Sequence, residues 1–172
     1  MHAYKVRIVG RMDLPAINAI VEQAVASWDV TERVKRLAMP DYQYRREDMD
    51  HMWLLAAQAK DGKLWGFAAL EEADSAELPA PGPGLLMHGL FVQPAFMRAG
   101  IGTHLLRVGA GVAETLGYKG MLVKSVRQSR RFFERNGLLA LRAEKATDYP
   151  YRYWLALGES SLHTGDMGDR CA

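Results

Sequence analysis

Gln93 to Leu106 reads QPAFMRAGIGTHLL. The stretch follows an apolar run, Leu85 to Val92, and passes through Pro94 into Ile101, Leu105 and Leu106 at helical spacing. Glycine inside a helix costs about 1 kcal/mol against alanine, so Gly100 and Gly102 in a first turn need a reason. A strand feeding a helix leaves the helix's first N–H groups unpaired and carrying about half a positive charge. Phosphate oxygens reach those groups only where no Cβ intrudes. The two glycines therefore mark an anion site suited to a pyrophosphate, with Ile101 between them anchoring the turn in the core. Alone, the G-x-G fits a plain turn before a helix equally well.

Outward from this point the chain alternates strands and helices. Tyr4 to Val9 has the alternation of a half-buried strand. Asp13 stands where a helix cap is expected, and Leu14, Ile17, Ile20, Val21, Ala24 and Val25 form one buried stripe running to about Trp28. Between Thr31 and Asp50 the pattern loosens, and Pro40 is expected to break any long helix there. His51 to Ala59 and Lys63 to Glu72 are apolar runs joined by Asp61-Gly62, a dipeptide suited to the positive φ angles of a tight hairpin. Leu85 to Val92 is a fourth strand, Ile101 to about Leu116 a helix, and Gly120 to Val126 a fifth strand. Ser129 caps or opens a short helix ending at Gly137, and Leu138 to Arg142 and Arg152 to Leu157 are the last two strands. The expected domain spans residues 1–158, and the polar segment 159–172 reads as a disordered tail.

Composition excludes more than it suggests. The chain has 172 residues, enough for one self-sufficient core, and 22 Lys and Arg against 20 acids give a net charge of +2. That balance supplies no reason to expect nucleic acid as a partner. No apolar run is long enough to cross a membrane, and Cys171 is the single cysteine, so no internal disulfide forms and a cytoplasmic setting is expected. No His/Cys/Asp/Glu group has metal-ligand spacing, and there is no G-x-S-x-G elbow.

Met87-His88-Gly89-Leu90-Phe91-Val92, then Pro94, Arg98-Ala99-Gly100-Ile101-Gly102 and Leu105-Leu106, resembles the acyl-CoA-binding motif of the GNAT superfamily of N-acyltransferases. SRRFFERNGL, Ser129 to Leu138, resembles that family's second signature, and the order of elements from Tyr4 to Leu157 is also similar. The resemblance implies a single α/β (α+β) domain with a mixed, mostly antiparallel sheet of about seven strands and helices on both faces. It implies acetyl-CoA as cosubstrate and an amine acceptor, with dimers common among members. The pyrophosphate would sit on the amides of Met97, Arg98, Ala99, Gly100, Ile101, Gly102 and Thr103. The pantetheine arm would pair with the main chain of Leu90, Phe91 and Val92, as in sheet-edge recognition generally. Arg98 then either contacts a phosphate or remains a solvated surface arginine.

The chain departs from the family's pattern in three places. Met97 stands where Gln or Arg is usual, Val126 where asparagine is often found, and Phe133 where many members carry the tyrosine that protonates the departing thiolate. Phenylalanine gives no proton, but a thiolate whose intrinsic pKa is about 8.5 leaves without one at modest cost. His88 is the candidate base, with an unperturbed pKa of about 6.5, its alternative being a histidine packed under the adjacent helix. Tyr151, with Tyr149 and Tyr153, is the candidate replacement acid or pocket wall, against ordinary sheet packing. His51 and His104 rank lower. Trp28, Met39, Tyr42, Tyr44 and Trp53 would form an apolar acceptor wall or belong to the core. The expected activity is acetyl transfer to a small-molecule amine by direct attack on the thioester. The competing readings are a binding protein without turnover and acetylation of protein amines, the latter disfavoured because no charged stripe offers a peptide dock.

Overall fold

Apolar residues alternate along the strands with both parities occupied, so the sheet is covered on each face. The computed structural model describes residues 3–143 and 149–158. In chain order it contains β1 (Tyr4–Ile8), α1 (Leu14–Ala26), α2 (Glu32–Tyr42), β2 (Trp53–Ala59), β3 (Leu64–Glu72), β4 (Gly84–Val92), α3 (Ile101–Thr115), β5 (Gly120–Lys124), α4 (Arg130–Arg135), β6 (Leu139–Leu141) and β7 (Arg152–Ala156). The strands form one seven-stranded sheet in the order β1-β2-β3-β4-β5-β7-β6. Only the β4/β5 pair is parallel. On one face Ile17, Ile20, Val21 and Val25 of α1 pack on Leu54, Ala56, Phe67 and Ala69. On the other Ile101, Leu105 and Leu106 of α3 pack on Leu55, Ala57, Ala68, Leu70 and Met87.

Several local expectations are corrected. The carboxylate of Asp13 does not cap α1. It accepts from the Gly10 N–H at 3.0 Å and pairs with Arg7 at 2.7 Å, closing the turn that precedes the helix. Pro40 lies inside α2 and does not break it. The helix ends two residues beyond, where the Gln43 N–H donates to Met39 O at 3.2 Å, and Met39 and Tyr42 on either side of the proline pack on the α1 core. At the β2/β3 hairpin only Gly62 has positive φ, and Ala59 and Lys63 bracket a longer turn than the two-residue type expected from Asp61-Gly62. Ser129 precedes α4 without a side-chain cap. The expected tail, 159–172, lies outside the described residues.

Two irregularities of β4 position the site. Ala69 pairs with Gly89 but Leu70 pairs with Met87, so His88 is the extra residue of a β-bulge. On the other side, β4 and β5 are in register from Gly84/Gly120 to Met87/Val123 and no further. Beyond Met87 the strands part, and the main chain of β4 from Gly89 to Val92 has β3 on one side and no strand on the other.

Candidate active site

The turn from β4 into α3 is fixed at its entrance. The Gln93 N–H donates to Trp65 O at 2.9 Å, the Gln93 side chain donates to Leu64 O at 2.8 Å, and the Phe96 ring stacks on Trp65 at 4.3 Å. Past Met97 the backbone enters the left-handed region twice, at Arg98 (φ 64°) and Gly100 (φ 81°). A non-glycine residue there costs about 1–2 kcal/mol, and Arg98 is the sole described residue other than glycine that does so. Gly100 therefore lies outside α3 as its N-cap, and the first helical bond runs from the His104 N–H to Gly100 O at 2.9 Å. The N–H groups of the first helical turn are left without intrahelical partners.

Gly102 has a packing reason beside the one expected. A Cβ there would meet the Phe132 ring at 3.3 Å, so its bareness admits a side chain from α4, while a Cβ at Gly100 would meet nothing within 4 Å. Ile101 is 1% exposed and anchors the turn in the core. Arg98, Ala99 and Gly100 are exposed and Thr103 is half-buried.

The parting of β4 from β5 opens a cleft of about 730 Å³. It is lined by Leu90, Phe91, Val92, Met97 and Phe133, which the sequence placed at the cosubstrate, and by His88. Trp28, Tyr42, Tyr44 and Tyr149 also line it, with Asp41 and Glu71. Trp28 meets Tyr42 edge-on at 5.1 Å and Tyr42 meets Phe91 edge-on at 6.1 Å, making a continuous aromatic wall. Of the five residues expected in that wall, Met39 and Trp53 do not reach the cleft: the first packs on the α1 core, the second on the α3 core. Burial raises the Tyr42 phenol, and the neighbouring Tyr149 and Asp41 add to the shift. Lys124 also lines the cleft, but its ammonium is paired with Glu77 at 2.7 Å.

His88 is exposed to the cleft and not packed under a helix. Its Nδ1 lies 3.2 Å from the hydroxyl of Tyr44, with the two rings edge-on at 5.6 Å. Tyr44 is 4% exposed, and burial pushes its phenol far above the usual range, with Asp48 and Glu71 contributing. Asn18 of α1 clamps its backbone from both sides, accepting from the Tyr44 N–H at 2.8 Å and donating to Tyr44 O at 2.9 Å. A Cβ on Gly89 would lie 2.3 Å from the Tyr44 hydroxyl, so this glycine admits the phenol to the bulge.

Tyr151 does not line the cleft: its ring lies under the Arg130 guanidinium at 5.5 Å and packs on the α3 core. Tyr149 takes the position at the cleft. Phe133 is buried and stacks on Tyr153 at 5.7 Å. His104 shares a 3.0 Å hydrogen bond with the Tyr4 hydroxyl, while His51 stands 4.0 Å from Glu71. Among the described residues no group of His, Cys, Asp and Glu could hold a metal ion, and no helix is long and apolar enough to cross a membrane. Glu71, Asp41 and Asn18 escaped the sequence reading. Glu71 looks like the polar end of a strand, and no local pattern marks Asn18 as the clamp on a tyrosine 26 positions away.

Residues 18–138 match the model of the Acetyltransferase (GNAT) family. The chain belongs to that family. Solved structures with the same fold include the PaiA N-acetyltransferase of Thermoplasma acidophilum in complex with coenzyme A, which is 16% identical with a TM-score of 0.71 over 90% of this chain and 99% of the other. A GNAT acetyltransferase from Brucella melitensis in complex with acetyl-CoA is 18% identical, with a TM-score of 0.64 over 92% and 91% of the two chains. YhbS of Escherichia coli in complex with CoA is also 18% identical, with a TM-score of 0.67 over 92% and 83%. No curated protein sequence matches the chain. In this GNAT domain β4 and β5 part beyond Met87, and Phe133 and Met97 line the cleft.

Proposed function

We propose that this GNAT-family protein transfers the acetyl group of acetyl-CoA to the amine of a small-molecule acceptor. The observation that carries the reading is an unpaired stretch of β4 lining the cleft and running directly into a doubly left-handed loop at the start of α3, of which Met97 reaches the cleft while Arg98 to Thr103 lie outside its lining. Amides of the loop from Met97 to Thr103 suit a pyrophosphate, with Arg98 close by on the same loop. The open edge at Leu90, Phe91 and Val92 suits the amides of a pantetheine arm. That the Brucella, Thermoplasma and Escherichia proteins of the same fold are in complex with acetyl-CoA or CoA supports acetyl-CoA as the cosubstrate.

The aromatic and acidic part of the cleft lining suits the acceptor. Trp28, Tyr42 and Tyr149 offer an apolar surface, and Asp41 and Glu71 attract a cationic amine, their charge unopposed by Lys124, which Glu77 already neutralises. An enclosure of rings and two carboxylates favours a compact amine with an apolar body over an extended peptide. The acceptor nitrogen, once deprotonated, adds to the thioester carbonyl carbon. The carbonyl pair moves to oxygen and returns as the C–S bond breaks, releasing a thiolate. Phe133 supplies no proton, so the thiolate is protonated by solvent. His88 and Glu71 are the cleft groups able to handle the amine's proton or the developing charge.

Calorimetric titration with acetyl-CoA, followed by thiol release across a panel of amines including arylalkylamines, aminoglycosides and amino acids, tests the proposal. Saturable binding and thiol release with at least one apolar amine are expected. Saturable binding with no thiol released by any amine would make the protein an acyl-CoA sensor or scaffold, and release only with a peptide library would make it a protein acetyltransferase. Either result overturns the reading.

A further inference from the structure

We infer that Tyr44 fixes the tautomer of His88, so that His88 presents an N–H to the cleft and acts as a hydrogen-bond donor to the reacting carbonyl, not as the base. The catalytic half rests on the acetyltransferase reading above; the tautomer does not. A buried hydroxyl left without an acceptor costs about 1–3 kcal/mol. The acceptor found for the Tyr44 hydroxyl is Nδ1 of His88, at 3.2 Å.

The phenol has little freedom to find another. Asn18 holds its backbone at both N–H and C=O. Phe67 meets its ring edge-on at 5.4 Å, and β4 closes to within 2.3 Å of its oxygen at the place a Gly89 Cβ would occupy. Burial also keeps the phenol protonated across the working pH range. Tyr44 therefore donates and Nδ1 accepts. A neutral imidazole carries one proton, so His88 bears it on Nε2, the nitrogen left to face the cleft. The charged groups sharing that cleft with His88 are Glu71, Asp41 and Lys124.

An Nε2 that already holds its proton has no lone pair for the amine. It is instead a preorganised donor at the β4 bulge, beside the unpaired main chain, suited to the oxygen of the tetrahedral adduct. The step balances without His88 as base. Nitrogen adds to the carbonyl carbon, the electron pair on oxygen is held by the His88 Nε2–H, and the ammonium proton passes to the Glu71 carboxylate. The carbonyl then reforms and the thiolate departs, taking a proton from solvent. Glu71 is on the cleft wall, and among the described residues its ion-pair partner is His51, whose Nε2 lies 4.0 Å away.

Long-range 1H–15N spectra of the full chain labelled at histidine, recorded at pH 8 without ligand, read the tautomer directly. The resonances are assigned by their loss in His88→Gln. The expected pattern is protonated Nε2 and bare Nδ1 for His88, and in Tyr44→Phe a shift toward a tautomer mixture. A proton on Nδ1 in the wild type, or spectra unchanged in a folded Tyr44→Phe, overturns the inference. These spectra need no acceptor, so they stand even if no amine is acetylated. Kinetics with whichever amine is active supply the second arm. His88→Gln keeps an N–H donor and is expected within about tenfold of wild-type kcat/KM, whereas His88→Ala loses about 100-fold or more, the cost of removing one such donor. Equal losses in the two variants would restore His88 as the base.

Discussion

Replacing Gly89 by alanine tests the arrangement at the β4 bulge without any ligand. Gly89 does not have positive φ, so its backbone would accept an alanine, and any cost comes from the added methyl alone. That methyl would lie 2.3 Å from the Tyr44 hydroxyl and 2.9 Å from Phe91 Cε2, closer than real Cβ contacts come. Tyr44 is the less able to yield, because Asn18 pins its backbone and Phe67 its ring. Overpacking such a site costs about 1–3 kcal/mol, and a phenol pushed off Nδ1 adds about 1–3 kcal/mol more as an unsatisfied buried hydroxyl. The expected loss of unfolding free energy is therefore about 2–6 kcal/mol. Urea denaturation followed by circular dichroism measures it, with the m-value checked for constancy so that the change belongs to the native state. Gly89→Ala combined with Tyr44→Phe removes the oxygen from the contact, and should recover a substantial part of the loss, a non-additivity expected of touching residues. If Gly89→Ala costs under about 0.5 kcal/mol, the range of an unremarkable surface change, the packing argument is wrong.

Gly100→Val places a β-branched residue at φ 81° in a spot where its Cβ meets nothing, so stability should fall by only about 1–2 kcal/mol through backbone strain. Acetyl-CoA affinity, measured by calorimetry, should fall at least about tenfold, which is 1.4 kcal/mol; unchanged affinity would remove the loop from the cosubstrate site. Asp13 supplies a pH signature. Its hydrogen bond to Arg7, more than any other contact, holds the carboxyl below the usual range, so the stabilisation is complete above the unfolded carboxyl's pKa of about 3.9 and fades as pH falls toward the lowered folded value. Thermal melts of Asp13→Asn should accordingly run below wild type at pH 7 and approach it below about pH 4; a difference independent of pH would refute the linkage.

What the chain reveals on its own follows from whether an interaction is local. The stripe of α1, the hairpin glycine and the strand, loop and helix around Gly100 depend on residues close in sequence, and each is found where its periodicity places it. The bulge at His88 is invisible beforehand, because it exists only as a mismatch between two strands. The same holds for the clamp of Asn18 on Tyr44, and for Phe132 as the side chain that Gly102 admits. Pro40 misled for a related reason: the bond it forfeits is set against the packing of Met39 and Tyr42 on the α1 core, contacts that the local pattern does not show. Of the tyrosines near the last strand, Tyr149 reaches the cleft and Tyr151 turns under Arg130, a choice that the run YPYRYW does not encode.

The gap between β4 and β5 beyond Met87 bears on how such a protein can drift in sequence. A partner that docks on open peptide edges and on amides at a helix start reads geometry that nearly any side chain can accompany. A methionine at position 97 then changes the lining of the cleft without removing a main-chain N–H from the loop. Chains sharing fewer than one residue in five can thereby keep the same architecture.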